Sequence, residues 1–287
     1  MQSLELNDHM AWSDTMDTYA VIGDPVGHSL SPAIHNAVFR HAGMDCTYMA
    51  YRIPRDELEY GITALKRIKI AGFNVTIPHK ISVMEYLDAA DDNCRSVGAC
   101  NTVSAGEDGS LRGYNTDVDG FMDPIRRRDI SVKGFKVLIL GAGGAARAAT
   151  AGLARGGMKS VTICGRTRYR TAPLADLAES LKVSSKCITT DAQEDLSEYS
   201  MVVNATPIGM GGEETPLRID TINPDCIVYD MVYRPMKTDL IARAQGMNAT
   251  CIYGYEMLLG QAVRSFEIWH GTKAPYDIMK RAVLGGF

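Results

Sequence analysis

Residues 136–147 read Lys136-Val137-Leu138-Ile139-Leu140-Gly141-Ala142-Gly143-Gly144-Ala145-Ala146-Arg147. A short apolar run stops at glycines and passes straight into a helical pattern. The spacing is G-x-G-x-x-A, and the strand before it and helix after it are the context that gives the motif meaning. Gly141 permits a tight turn, Gly143 lets a pyrophosphate approach the backbone, and Ala146 lets the helix pack on the strand. The helix start offers N–H groups and a positive dipole end to phosphate. This stretch predicts a dinucleotide site and, with it, a doubly wound α/β sheet. The next apolar run, Ser160–Cys164, leads into Gly165-Arg166-Thr167-Arg168-Tyr169-Arg170. A site for NAD carries an acid there to bind the ribose 2′-hydroxyl. Here there is no acid and there are three arginines, whose guanidinium groups suit a 2′-phosphate. The expected cofactor is NADP.

Outward from this motif the chain alternates strand and helix. Met201–Val203 and Cys226–Tyr229 are further short apolar strands, the pattern of a parallel sheet covered on both faces. Upstream, Tyr19–Ile22 and Cys46–Ile53 read as strands. Ser31 before Pro32 reads as the cap of a helix running to Ala42. Pro54–Lys69 reads as an amphipathic helix with Leu58, Ile62, Leu65 and Ile68 on one face. Gly72–Thr76 reads as a strand, and Pro78–Leu87 as a helix. Glu107-Asp108-Gly109 is the turn of a hairpin between Asn101–Val103 and Leu111–Gly113. Helices are expected over about 255–270 and 274–284. The expected fold is α/β, with an N-terminal α/β substrate domain and a Rossmann-like domain. The first takes residues 1–118 and is completed by 255–287. The second takes 119–254, and the active site is the cleft between them.

Composition narrows the function classes. The 287 residues are 46% hydrophobic and 22% charged, and the formal charge of −4 offers no basic field for nucleic acid. Seven cysteines, an odd number with no C-x-x-C pair, argue for reduced thiols and against a disulfide frame or zinc site. The six histidines have no ligand spacing, so no metal is expected. Residues 1–17 lack a signal-peptide pattern and no run approaches the ~20 apolar residues of a membrane span. A cytoplasmic protein with no membrane partner is expected, as a monomer or a homodimer.

The chemistry is expected at Asn74-Val75-Thr76-Ile77-Pro78-His79-Lys80. A strand here delivers a lysine, whose ammonium is useful for acid–base work. Hydride transfer at an alcohol carbon needs a protein group to move the proton on oxygen. Asp117, in Asn115-Thr116-Asp117, is the candidate partner for Lys80. On bare sequence an ordinary helix cap is the more common reading of it.

The ordered set of motifs resembles the shikimate dehydrogenase family. The landmarks are Ser29-Leu30-Ser31-Pro32, Asn74–Lys80, Gly98-Ala99-Cys100-Asn101-Thr102, Asn115–Asp117 and Gly141–Ala145. They continue with Gly165–Thr167, Asn204–Met210, Tyr229–Tyr233 and Gly254–Gln261. The resemblance spans residues 19 to about 265. It implies reversible NADPH-dependent reduction of 3-dehydroshikimate to shikimate, with Lys80 and Asp117 as the catalytic pair. It implies Ser29, Ser31, Thr76, Asn101, Tyr233 and Gln261 as substrate ligands, neutral groups suited to one carboxylate and three hydroxyls. It implies Gly141, Ala142, Gly143, Gly144, Ala145, Arg166, Thr167, Arg170, Thr206, Met231, Gly254 and Met257 around the cofactor. Gly165 stands where the family often has asparagine, which removes one side-chain contact and leaves Arg166 and Arg170 to carry the charge. His79 is read as a neighbour of the site, not as a proton carrier. The alternatives are a quinate/shikimate dehydrogenase with relaxed cofactor use, and a non-catalytic sensor on the same fold. Two serines at 29 and 31 favour shikimate, and a pure sensor has no reason to keep both Lys80 and Asp117.

Overall fold

The computed structural model of the protein describes residues 16–191, 195–212 and 222–285. Most of the N-terminal extension, residues 1–15, lies outside the described residues. The chain builds two six-stranded sheets in succession. The first contains β1 (Asp17–Gly23), β2 (Cys46–Arg52), β3 (Gly72–Val75), β4 (Ala89–Ala90), β5 (Thr102–Ala105) and β6 (Leu111–Tyr114), with α1 (Ser31–Ala42), α2 (Leu58–Arg67) and α3 (Asp92–Val97) between them. Its order is β2-β1-β3-β5-β6-β4. β1 runs parallel to β2 and β3, and β5 runs antiparallel to β3 and β6.

After α4 (Asp117–Arg126), the second sheet alternates strands and helices. It has β7 (Lys136–Leu140), α5 (Gly144–Arg155), β8 (Ser160–Gly165), α6 (Arg168–Ser180) and β9 (Ser184–Thr189). Then follow β10 (Met201–Asn204), β11 (Ile227–Asp230), α7 (Asp239–Gly246) and β12 (Thr250–Tyr253). The order is β12-β11-β10-β7-β8-β9, every pair parallel. Counted from β7, this is the doubly wound order with its reversal between β7 and β10, where such sheets bind ligands. α8 (Gly254–His270) and α9 (Tyr276–Leu284) then return to the first half, where α9 packs on α1.

Local chemistry explains the elements. β7 is buried at Val137–Leu140 because both faces of its sheet are covered. α2 buries Leu58, Ile62 and Leu65 along one face. The β5–β6 hairpin closes with Gly109 at φ +80° and its N–H on the Gly106 carbonyl.

Several expectations are corrected. Ser31 is the first helical residue, not the cap: Leu30 flanks the helix, and the Ser29 hydroxyl accepts the Ser31 N–H at 3.2 Å. Pro54 stays extended, residues 55–57 form a 3₁₀ turn, and α2 ends at Arg67, so Ile68 is exposed rather than on the apolar face. No helix runs from Pro78 to Leu87. Thr76–Ile81 is an irregular turn with a cis Ile77–Pro78 bond, followed by a 3₁₀ turn over Ser82–Tyr86. Strands β9 and β12 lie at the two edges of their sheet. Their polar, half-exposed residues hide them from a search for apolar runs.

The first half buries His35 completely, stacked at 4.6 Å on Tyr48, with neither ring nitrogen hydrogen-bonded. Burial, and secondarily His270, pushes its pKa down to about 3. The folded state therefore refuses a proton that the unfolded chain accepts below pH ~6.5, and stability falls as pH drops through the window from about 6.5 toward 3. Between pH 7 and pH 5 this group alone should cost about 2 kcal/mol. Urea unfolding of the wild type and His35→Phe at both pH values checks it: the variant should lose that part of the pH slope, whatever its baseline stability.

Candidate active site

The turn that carries Lys80 is clamped by backbone and side-chain bonds. The buried His79 ring donates from Nε2 to the Ile53 carbonyl at 2.7 Å, and the Lys80 carbonyl accepts the Cys100 N–H at 2.7 Å. Lys80 Nζ reaches Asp117 Oδ2 at 2.5 Å, with side-chain exposures of 16% and 4%. Asp117 opens α4, where the helix dipole favours a carboxylate. Its other oxygen, Oδ1, accepts from Asn101 Nδ2 at 2.9 Å. The Asn101 amide cannot be reversed, because the Thr116 N–H, which can only donate, points at Asn101 Oδ1 at 2.7 Å. Lys80, Asn101 and Asp117 thus form one directed cluster.

The other substrate candidates arrive from four elements. Ser29 and Ser31 lie at the start of α1, with buried Ser31 beside the Tyr48 hydroxyl. Thr76 follows β3 and is half-buried against Gly23, which lacks a side chain where the Thr76 methyl lies. Tyr233, in the loop after β11, crosses to pack with the apolar cluster of α1 and α8, and burial raises its pKa. Gln261 is buried on α8, its Nε2 donating to the Leu258 carbonyl at 2.9 Å. Among the described residues, no hydrogen bond joins Ser29, Thr76, Tyr233 or Gln261 to the Lys80 cluster.

At the dinucleotide turn, Gly141 has φ +99°, a conformation L side chains rarely adopt, and a Cβ there would lie 3.0 Å from the Ala205 carbonyl oxygen and from the Thr206 methyl. Thr206 is therefore this turn's immediate neighbour across the β7/β10 reversal, its hydroxyl fixed on Asn204 Oδ1 at 2.7 Å. Gly143 caps α5 in extended conformation, and a Cβ built on it would meet nothing within 4 Å. Ala142 and Ala145 flank it. Gly144 is different, since a Cβ there would lie 2.9 Å from Lys80 Cβ. The lysine stem lies over this glycine. Arg166, Thr167, Arg168, Tyr169 and Arg170 are all exposed beyond β8, and among the described residues none of these arginines makes an ion pair. Open backbone at Gly143 and unpaired guanidinium groups past β8 fit a phosphorylated dinucleotide. Met231 follows β11. Gly254 presses on backbone, its missing Cβ only 2.5 Å from the Met231 and Val232 carbonyl oxygens, and Met257 sits in the core with Phe121 and Tyr229.

Two buried polar networks escaped the reading of the sequence. Asp230 is fully buried and accepts from Asn204 Nδ2 (2.9 Å), the Val232 N–H (3.0 Å) and the Thr238 hydroxyl (2.5 Å). Burial raises its pKa and these three bonds oppose the rise. It fixes the loops beyond β10 and β11 that carry Thr206 and Tyr233. Both Asn204 and Asp230 stand inside quoted motifs, at strand ends, which was the available signal. The second network centres on Ser265 of α8 and had no signal beyond its place one helical turn after Gln261.

A lysine–carboxylate pair set against a Rossmann dinucleotide turn, between two α/β halves, defines a pyridine-nucleotide oxidoreductase of the alcohol–carbonyl class. Family profiles agree with the layout. The shikimate dehydrogenase substrate binding domain matches residues 21–103, shikimate / quinate 5-dehydrogenase matches 125–209, and the shikimate 5′-dehydrogenase C-terminal domain matches 254–284. The shikimate dehydrogenase (NADP(+)) of Nitrosopumilus maritimus is 54% identical over 94% of this chain and 99% of its own length. The crystal structure of Thermus thermophilus shikimate 5-dehydrogenase in complex with NADP(H) and shikimate has a TM-score of 0.84 at 31% identity, covering 95% of this chain and all of that one. A quinate dehydrogenase from Corynebacterium glutamicum in complex with NAD has a TM-score of 0.85 at 26% identity, covering 94% and 99%. The chain belongs to the shikimate dehydrogenase family.

The two glycines of the turn should separate experimentally. Gly143→Ala has room and an ordinary backbone angle, so its melting temperature should stay near wild type while NADP⁺ affinity falls about tenfold or more, as a methyl meets the approaching phosphate. Gly141→Ala should lower the melting temperature as well, because its strain exists without ligand. Thermal melts with and without NADP⁺, plus a fluorescence titration, read both.

Proposed function

We propose that this chain catalyses the reversible reduction of 3-dehydroshikimate to shikimate with NADPH, an NADP-dependent oxidoreductase reaction at a CH–OH group. The observation that carries the reading is the Lys80–Asp117 pair placed over Gly144 of the dinucleotide turn. The reduced cofactor, when bound, would supply hydride to the ring carbonyl carbon. Lys80 donates a proton to the carbonyl oxygen as it becomes a hydroxyl, and takes it back in the reverse direction. Asp117 holds the ammonium in place. It accepts on both oxygens, from Lys80 and from Asn101, which leaves Lys80 as the donor of the pair.

Ser29, Ser31, Thr76, Asn101, Tyr233 and Gln261 supply hydroxyl and amide groups for the substrate carboxylate and ring hydroxyls. Arg166, Thr167 and Arg170 hold the 2′-phosphate, while Gly141–Ala145, Thr206 and Met231 frame the rest of the cofactor. Residues to 118 with 255–287 act as the substrate module, and 119–254 as the cofactor module. The reading places the chain in a reducing, cytoplasmic setting, where thiols such as its seven cysteines persist. No helix among the described residues is long and apolar enough to cross a membrane.

Absorbance of the reduced nicotinamide, with shikimate or quinate and NADP⁺ or NAD⁺, tests the assignment in four combinations. Shikimate with NADP⁺ should give the highest kcat/KM; no signal in any combination would overturn it. Lys80→Ala should lower kcat by about a hundredfold or more with NADP⁺ affinity nearly unchanged, the range expected for loss of a general acid–base.

A further inference from the structure

Three hydroxyls meet behind the Lys80 cluster, on the side away from solvent. Thr102, Thr116 and Ser265 are each no more than 1% exposed, and they come from β5, the residue before α4, and α8. Thr102 Oγ1 lies 2.8 Å from Ser265 Oγ and 3.0 Å from Thr116 Oγ1, and Thr116 Oγ1 lies 3.2 Å from Ser265 Oγ. Asn74 Nδ2 reaches Thr102 Oγ1 at 3.0 Å and Ser265 Oγ at 3.1 Å. Rotatable hydroxyls alone would leave the direction of these bonds undecided. Groups that cannot change role decide it here.

At one end, the Thr116 N–H only donates. It makes Asn101 Oδ1 the acceptor, so Asn101 Nδ2 donates its two hydrogens to Asp117 Oδ1 and to Thr116 Oγ1, both at 2.9 Å. Asn74 is fixed in the same way. Its Nδ2 faces the Asn101 carbonyl at 3.0 Å, so its Oδ1 accepts the Tyr48 hydroxyl at 2.6 Å. At the other end, Ser265 Oγ faces the Gln261 carbonyl at 2.9 Å, which only accepts. One consistent arrangement follows. Thr116 has accepted from Asn101, the Thr102–Thr116 pair sends one hydrogen on to Ser265, and Ser265 donates to the Gln261 carbonyl.

We propose that Ser265 is a positioning residue of the reaction, the hydroxyl through which α8 holds Thr102 and Thr116 in place against Asn101 and so sets the place of Asp117. Ser265 touches neither Lys80 nor Asp117, and acts through Thr102, Thr116 and Asn101. The inference rests on the shikimate dehydrogenase reading above. Removing its hydroxyl leaves the Thr102–Thr116 pair with one buried hydrogen that has lost its acceptor. The nearest remaining acceptor is Asn101 Oδ1, 3.2 Å and 3.4 Å from the two hydroxyls, and turning toward it shifts the threonines against which Asn101 is seated.

The experiment compares Ser265→Ala, the isosteric Thr102→Val, and Thr102→Ser, which keeps the hydroxyl. Steady-state kinetics with shikimate and NADP⁺, NADP⁺ titration and melting temperature are read for each. Ser265→Ala and Thr102→Val should each lower kcat about tenfold or more, the scale of a small misplacement of catalytic groups, with NADP⁺ affinity unchanged and KM for shikimate moving less than kcat. Their double variant should be no worse than the poorer single, since both cut one chain, and Thr102→Ser should recover most of the turnover. Wild-type kcat in Ser265→Ala overturns the inference, as does a loss of turnover matched by equal losses in NADP⁺ affinity and melting temperature. Wild-type turnover separates the two claims. Its absence overturns the functional reading and this inference together; its presence beside an unimpaired Ser265→Ala overturns this inference alone.

Discussion

The structure depends on the crossing of α4 and α8. A Cβ on Gly120 would lie 2.7 Å from the Gln261 nitrogen and 2.8 Å from the Met257 carbonyl oxygen, and one on Gly260 would lie 3.0 Å from Gly120 Cα. The two helices therefore touch backbone to backbone, which only glycine on both sides allows. α4 leads out of the first sheet into the second, and α8 leads out of the second sheet back to the first. Their contact sets how the two sheets face each other. Asp117 begins one helix while Gln261 and Ser265 lie on the other, so the same crossing sets the Asp117 end of α4 against this face of α8. A bidentate Arg128–Glu256 pair at 2.7 and 3.0 Å ties the far ends of these helices.

A second tie closes the opposite side. Arg147, the last residue of the opening motif, donates to the Val97 carbonyl at 2.6 Å and to the Pro173 carbonyl at 3.2 Å. Two turns further along α5, Arg155 reaches Asn93 Oδ1 at 2.5 Å and Ser96 Oγ at 3.0 Å. Both arginines hold α3 of the first half against α5 of the second. The helix that offers its N-terminus to a dinucleotide is thus anchored to the half that carries Lys80 and Asn101. The buried carboxylates Asp117 and Asp230 are each matched to donors. An unpaired charge in such surroundings would cost several kcal/mol, which is why Asp117 and Asp230 each have every close donor accounted for.

The dinucleotide turn was legible because its chemistry is local: strand, glycine spacing and helix all lie within twelve residues. The hairpin at Gly109 was legible for the same reason. The Lys80 segment was misread as helical because Pro78 resembles a helix start. Its actual conformation depends on His79 finding the Ile53 carbonyl and Lys80 finding the Cys100 N–H, contacts that no local pattern encodes. Edge strands β9 and β12 were lost because hydrophobic runs mark only strands buried on both faces. Ser31 looked like a cap because capping serines are common. The neighbouring Ser29 does that job, and Ser31 faces Tyr48 instead. Asp117 was a candidate partner for Lys80 as an acid at a strand-to-helix junction, but 36 residues separate the two, and only the resemblance lifted the pairing above an ordinary helix cap. Ser265, 191 residues beyond Asn74, was out of reach of any motif.

Gly144 ties these threads together. In the sequence it is one more glycine of a phosphate-binding turn. In the fold, its missing side chain is the space through which the Lys80 stem passes, 2.9 Å from where a Cβ would be. The two glycines next to each other therefore serve different partners. Gly143 leaves its backbone open, and Gly144 leaves room for the Lys80 stem of the other half. Proton and hydride must reach adjacent atoms of one C–O bond. That requires the lysine of one half and the cofactor held by the other to meet in one cleft. A larger residue at 144 would push Lys80 off its carboxylate before it disturbed either sheet. On the proposed reaction the turn serves the proton site as well as the cofactor site, with the cleft as one surface built from both halves.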